Sequence, residues 1–221
     1  MKIAFCLFKY SPYSGLSLDF GRILEECLNR GHSAHVFVSE WQGERPEGAQ
    51  FTVLESPKIS LKFSNHAQNE QFHNKLQVEL KKQAFDVVVG FNKMPGLDLY
   101  YGADSCYVGD KGTQYPAIYK LTRRYKGRYS FEEAVFGVKS QTLILSLSER
   151  QKSEYQEYYF TPNERFHLLP PTLDASFSPI TDRVHQREKL RVELDLPIND
   201  LLLMFIGSGF RTKGLDRGIT A

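Results

Sequence analysis

The chain has 221 residues, enough for one large domain or for one domain and part of another. With 41% hydrophobic and 24% charged residues it is not a disordered chain, and no apolar run approaches the ~18 residues needed to span a bilayer. Its three cysteines, Cys6, Cys27 and Cys106, are odd in number and far apart, which argues against a disulfide framework or a zinc site and suits a reducing cytosol.

The N-terminal MKIAFCLFKY has no small-residue cleavage site after its short apolar run and reads as a first β-strand, not a signal peptide. Strand-like runs follow at Ile3–Phe8, Ala34–Val38, Phe51–Leu54, Val87–Phe91, Thr142–Leu147 and Phe166–Leu169. Several are apolar on both faces, as expected of parallel strands covered by helices on both sides. Between the first two, Leu16, Phe20, Ile23, Leu24, Cys27 and Leu28 form one apolar helical stripe, with Arg30 and Gly31 as its stop. This βαβ alternation predicts a doubly wound α/β domain over residues 1–170.

Candidate ligand residues fall at the carboxyl ends of the predicted strands. Tyr10–Leu16 joins the first strand to the first helix; Gly15 would let a ligand approach the backbone, and the helix N-terminus favours an anion. The loop lacks GxGxxG, so no dinucleotide fingerprint is present. Asp19 is expected in the first helical turn, where a carboxylate complements the dipole. GFNKMPGLD, residues 90–98, concentrates polar and turn residues after another strand. Asp104 is a candidate carboxylate a few residues on. Asn65, His66 and Asn69 share a polar stretch that reads as a solvated loop, although such groups also suit sugar hydroxyls.

The net charge of +2 hides an asymmetry: Lys111, Lys120, Arg123, Arg124, Lys126 and Arg128 give the segment 111–128 a charge of +6 and leave −4 on the other 203 residues. A helix starting at Pro116 would gather Ile118, Leu121, Tyr125 and Tyr129 into one stripe flanked by cations, the pattern of an interfacial amphipathic helix on an anionic membrane. No recognised nucleic-acid motif accompanies the charge.

The alternation breaks at Pro170-Pro171, and residues 171–200 read as a linker with one helix-like piece near Asp182–Leu194. Leu201–Ile206 then reads as the first strand of a second α/β domain, residues 201–221, followed by the glycine turn 207–214 with Arg211 and Lys213 placed to hold a pyrophosphate. One strand and one turn cannot bury a core, so the sequence is expected to be truncated.

Phe5-Cys6-Leu7, Lys9-Tyr10, Gly15-Leu16, Asp19-Phe20, Arg30-Gly31-His32, residues 89–98 with their GFNKMPGLD core, Ala103-Asp104 with Cys106-Tyr107, and Leu169-Pro170-Pro171 together resemble the lipopolysaccharide core heptose glucosyltransferases of retaining glycosyltransferase family 4. The resemblance implies a GT-B architecture of two Rossmann-like domains, the first binding acceptor and the second nucleotide sugar. It implies transfer of glucose from UDP-glucose to an inner-core heptose of lipopolysaccharide, without metal or other cofactor, by a peripheral protein on the cytoplasmic face of the inner membrane. On it, Asp104 and Asp19 are the catalytic candidates. Gly15, Lys213 and Arg211 face the donor, and Asn92 and Lys93 face the acceptor. Two departures stand out: Ser14 occupies a position where the family usually has glycine, and Thr212 one where it has arginine. The resemblance implies that the family's EX7E-type motif belongs to a C-terminal region not included in residues 1–221, so these residues alone are expected to be inactive. The alternatives are a non-catalytic membrane- or glycolipid-binding module and a family 4 transferase with another donor or acceptor. A UDP-sugar epimerase has little use for a basic amphipathic segment.

Overall fold

A computed structural model describes residues 1–55, 65–114, 116–170, 181–207 and 210–220. The chain divides into two compact units, Met1–Pro171 and Thr172–Ala221.

The first unit is built on seven strands: β1 (Lys2–Tyr10), β2 (Ser33–Trp41), β3 (Ala49–Val53), β4 (Val87–Gly90), β5 (Leu99–Gly102), β6 (Leu143–Ser146) and β7 (Phe166–Leu168). They form one sheet in the order β3-β2-β1-β4-β5-β6-β7. Every pairing is parallel; Ile3, for example, lies opposite Ala34 on one side and Val87 on the other. Side chains alternate across a strand, and β1 shows what that does here. Ile3, Phe5 and Leu7 enter one core with Phe20 and Leu24 of helix α1 (Gly15–Asn29). Ala4 and Cys6 enter another on the opposite face, with Phe72 and Leu76 of α2 (Asn65–Leu80). Helices α3 (Tyr107–Gln114), α4 (Arg123–Phe136) and α5 (Glu149–Tyr159) complete this unit. The doubly wound α/β class expected from the sequence is what forms.

Two elements differ from expectation. The stretch read as a solvated loop is the start of α2: Phe72, Leu76 and Leu80, spaced by four, supply the apolar stripe that a polar count conceals. Strand β5 is so short, and joined to β4 by a connection without a helix, that the βαβ rhythm misses it.

In the second unit, α6 (Arg183–Glu193) is capped by the Asp182 carboxylate, which accepts from the His185 N–H at 3.2 Å. Leu201–Ile206, expected to be a strand, has no regular structure, and Leu201, Leu203 and Ile206 are more than 80% exposed. A strand's hydrogen bonds come from its neighbours, and none pairs with this segment among the described residues. Two short helices follow, α7 (Phe210–Lys213) and α8 (Leu215–Thr220), with Gly214 at φ +78 between them.

Candidate active site

The chain leaves β1 towards β2 and later returns to pair β4 on β1's other edge, so the sheet order reverses at the β1/β4 boundary. The crevice outside the carboxyl ends of strands at such a reversal is where open α/β sheets bind ligands. Asn92 sits there, two residues past β4, and its Oδ1 accepts from the Phe8 N–H of β1 at 2.8 Å. A cleft of about 330 Å³ opens beside it, lined by Asn69, Asn92, Lys93, Asp104 and Arg128 among others. A larger hollow of about 670 Å³ lies at the ends of β1, β2 and β3 and shares Phe8 and Asn69 with the first. Lys9, Ser39, Glu40, Trp41, Arg45 and Gln68 face it. Carboxylates, cations, carboxamides and aromatic rings side by side suit a polyhydroxylated ligand.

Beneath the smaller cleft lies a buried ion pair. Lys93 Nζ is 2.5 Å from Oε1 of Glu132, whose side chain is fully buried. Lys93 also donates to the Ser105 carbonyl at 2.6 Å, next to Asp104. The Asp104 carbonyl accepts from Gln151 Nε2 at 2.8 Å and from the Tyr155 hydroxyl at 3.0 Å. The backbone that presents Asp104 is therefore gripped from α5, while its side chain stays exposed at the cleft. Packed protein on its inner side strips hydration from the carboxyl and raises its pKa; Lys93 lowers it, Glu132 raises it and Arg128 lowers it in turn.

Asn92, Lys93 and Asp104, named from the sequence, are thus brought together. The sequence does not mark Glu132 or Arg128 as part of this site. Glu132 lies in an ordinary Phe-Glu-Glu run, and nothing local marks it as buried. In the sequence Arg128 reads as one of the membrane-facing cations. The structure places its guanidinium 5.4 Å from the centre of the Tyr107 ring, on the cleft wall.

Asp19 and Gly15 lie elsewhere. Asp19 falls in the second turn of α1, not the first, so the dipole is not its reason for being there. It accepts from the Tyr101 hydroxyl of β5 at 2.8 Å, lies 3.7 Å from Arg22, and is not among the residues lining the Asp104 cleft. Gly15 is the first residue of α1, and a Cβ there would meet nothing within 4 Å, so the backbone is open to an approaching group. Its N-cap residue, Ser14, makes no side-chain bond to the helix. In the second unit Lys213 is exposed, ends the single turn of α7 and precedes α8. The side chain of Arg211 lies outside the described residues, as do those of Lys111, Asn65 and His66.

The single amphipathic helix expected from Pro116 does not form. A 3₁₀ turn spans Ala117–Leu121, Thr122 is extended, and α4 begins afresh at Arg123 with the Thr122 hydroxyl accepting from the Tyr125 N–H at 3.1 Å. A capped restart breaks the helical phase. Tyr125 is consequently buried among Tyr107, Tyr119 and Tyr129, and Tyr129 is half-buried with its hydroxyl on Glu133. Tyr125, being buried, is not presented to a headgroup layer from there. Ile118 and Leu121 are instead 74% and 70% exposed, beside exposed Lys120, Arg123, Arg124 and Lys126. Among the described residues no helix is long and apolar enough to cross a membrane.

No family model matches the chain. Over its whole length it is 37% identical to the lipopolysaccharide glucosyltransferase WaaG of Escherichia coli K12, of which it spans 58%. Over 99% of its length it superposes on 58% of a crystal structure of WaaG, a glycosyltransferase involved in lipopolysaccharide biosynthesis, with a TM-score of 0.86 and 35% identity. A glycosyltransferase from Rickettsia africae shares the fold at a TM-score of 0.52 over 90% of this chain and 50% of its own, with only 14% identity. The resemblance carried by GFNKMPGLD and its companions is therefore borne out: the chain is similar from end to end to the lipopolysaccharide glucosyltransferase WaaG and shares its α/β, GT-B-type fold.

Proposed function

We propose that this chain supplies the acceptor side of a retaining glycosyltransferase that moves glucose from UDP-glucose to an inner-core heptose of lipopolysaccharide. The observation that carries the proposal is the convergence of Asn92, Lys93 and Asp104 on one cleft at the reversal point of a WaaG-like sheet. Asp104 accepts a hydrogen bond from the acceptor hydroxyl, and its charge favours the positive charge that develops at the sugar carbon during transfer. No covalent bond from Asp104 to the sugar is assigned. Asn92 and the free N–H of Lys93 hold neighbouring hydroxyls. The acceptor is an oligosaccharide, and its remaining sugars extend past Phe8 and Asn69 into the larger hollow. Gly15, Asp19, Lys213 and Arg211 belong to the donor side of the reaction, and no metal takes part.

Exposed Ile118 and Leu121 amid four exposed cations support docking on the anionic inner face of the inner membrane, where a lipid-borne acceptor would be met. The same patch also supports the second reading, a glycolipid-binding module without turnover. The test is an NMR titration of residues 1–221 with a heptose-terminated core oligosaccharide and with a core lacking heptose. Shifts at Asn92, Lys93 and Asp104 with the first only are expected. Shifts that spare this cleft would remove the acceptor assignment. Calorimetry with UDP-glucose should show feeble binding, and micromolar affinity would relocate the donor site.

A further inference from the structure

We infer that Glu132 is a positioning residue of the Asp104 cleft, acting through Lys93 and resting on the reading of that cleft as an acceptor site. Glu132 is 0% exposed on α4. Its Oε1 accepts from Lys93 Nζ at 2.5 Å and from the Tyr107 N–H at 2.8 Å. Its Oε2 accepts from the Val108 N–H at 3.1 Å and from the Tyr159 hydroxyl at 2.7 Å. Four donors satisfy the buried anion, and they come from three separate places: the loop after β4, the first turn of α3, and the end of α5.

The Tyr107 and Val108 N–H groups are donors that a helix start leaves without partners in its own helix, and a local side chain usually takes them. Here a carboxylate from another helix does so while also gripping a cleft lysine. Lys93 gives a second N–H to the Ser105 carbonyl and is itself one of the residues lining the cleft. The line Glu132–Lys93–Ser105 therefore locks the loop carrying Asn92 to the loop carrying Asp104. An apolar side chain would fill this buried place at a smaller desolvation cost. Stability alone thus does not account for an ion pair whose one partner faces the cleft.

The charged and titratable groups around Asp104 are Lys93 from the loop after β4, Arg128 and Glu132 from α4, Asp110 from α3, Tyr100 from β5 and Tyr155 from α5. Removing the Glu132 charge takes away an opposing anion and frees Lys93 to approach Asp104, and both changes favour the Asp104 carboxylate.

The test uses residues 1–221 with ¹³C-labelled aspartate carboxyls, the heptose-terminated oligosaccharide as ligand, and the variants Glu132→Gln, Lys93→Met and the pair combined. In Glu132→Gln, Asp104 should titrate at lower pH and oligosaccharide affinity should fall about tenfold. In the Lys93→Met background the further change to Gln should leave affinity within twofold, because the link it breaks is already gone. A folded Glu132→Gln protein with unshifted Asp104 and unchanged affinity would overturn the inference. So would an added tenfold loss in the double variant over Lys93→Met alone. If Glu132→Gln does not fold, the comparison of Lys93→Met with the double variant decides, since removing both ion-pair partners strands neither charge. If the parent chain does not bind the oligosaccharide, the acceptor reading fails by itself. The Asp104 titration in Glu132→Gln still judges the positioning role.

Discussion

Phe8 on β1 and Asn92 after β4 are joined across the boundary at which the sheet reverses: the Phe8 N–H donates to the Asn92 carboxamide at 2.8 Å. Beyond the last β1–β4 rungs, this bond continues the pairing of the two strands by a side chain. It fixes the floor shared by the two hollows at the strand ends.

Asn92→Ala should leave the Phe8 N–H without its acceptor and cost about 1–3 kcal/mol of unfolding free energy. Asn92→Asp keeps an acceptor at that position and should cost clearly less. Urea unfolding of the two variants checks this, and equal losses would show that the bond contributes nothing of its own.

Gly90 packs without room for a side chain. A Cβ there would lie 2.2 Å from Leu97 Cδ1 and 3.0 Å from its Cγ, and Leu97 is 6% exposed. Gly90→Ala should cost roughly 1–3 kcal/mol by overpacking. Combined with Leu97→Ala it should cost less than the two single changes added together, because the new methyl occupies part of the vacated space. Strict additivity in a double-mutant cycle would contradict the contact.

Asp104 carries a pH signature. Its folded pKa is raised above the unperturbed 3.8, first by lost hydration. The stability tied to its protonated form is therefore present below 3.8 and lost as pH rises through the folded value. Asp104→Asn should melt at a higher temperature than the parent at neutral pH, with the difference vanishing as the pH falls towards 3.8. In any longer protein that turns over, the same change should lower kcat more than donor affinity. A variant less stable than the parent at neutral pH would reverse the sign argued here.

The membrane patch is testable without touching the cleft. Ile118→Ser with Leu121→Ser should reduce the salt-resistant part of cosedimentation with anionic vesicles. Arg123→Gln with Arg124→Gln should reduce the salt-sensitive part, at up to about 1 kcal/mol per cation. Arg128 and Tyr125 are left intact because one lines the cleft and the other is buried. Binding by all variants equal to the parent's would return the patch to a solvated surface.

Much of the fold was legible. Six of the seven strands and α1 announced themselves by apolar runs and a helical stripe, because parallel strands covered on both faces must be apolar throughout. Strand β5 and helix α2 were missed where the local pattern was too short or too polar. The basic segment shows the limit most sharply. Its wheel placed Tyr125 with Ile118 and Leu121, but the cap at Thr122 resets the helical phase and sends Tyr125 inward while the aliphatic pair stays out.

By itself the sequence determined the α/β class and the position of the GFNKMPGLD loop at a strand's carboxyl end, which follow from periodicity and spacing along the chain. Asn92, Lys93 and Asp104 were singled out together by the family resemblance. Only the tertiary structure decided that Glu132 lies beneath Lys93, that Arg128 belongs to the cleft wall and that Asp19 turns to Tyr101 instead. Burial and ion pairing depend on which distant segments pack together. In this chain, Lys93 and Glu132 are 39 residues apart and meet only because α4 packs beneath the loop after β4.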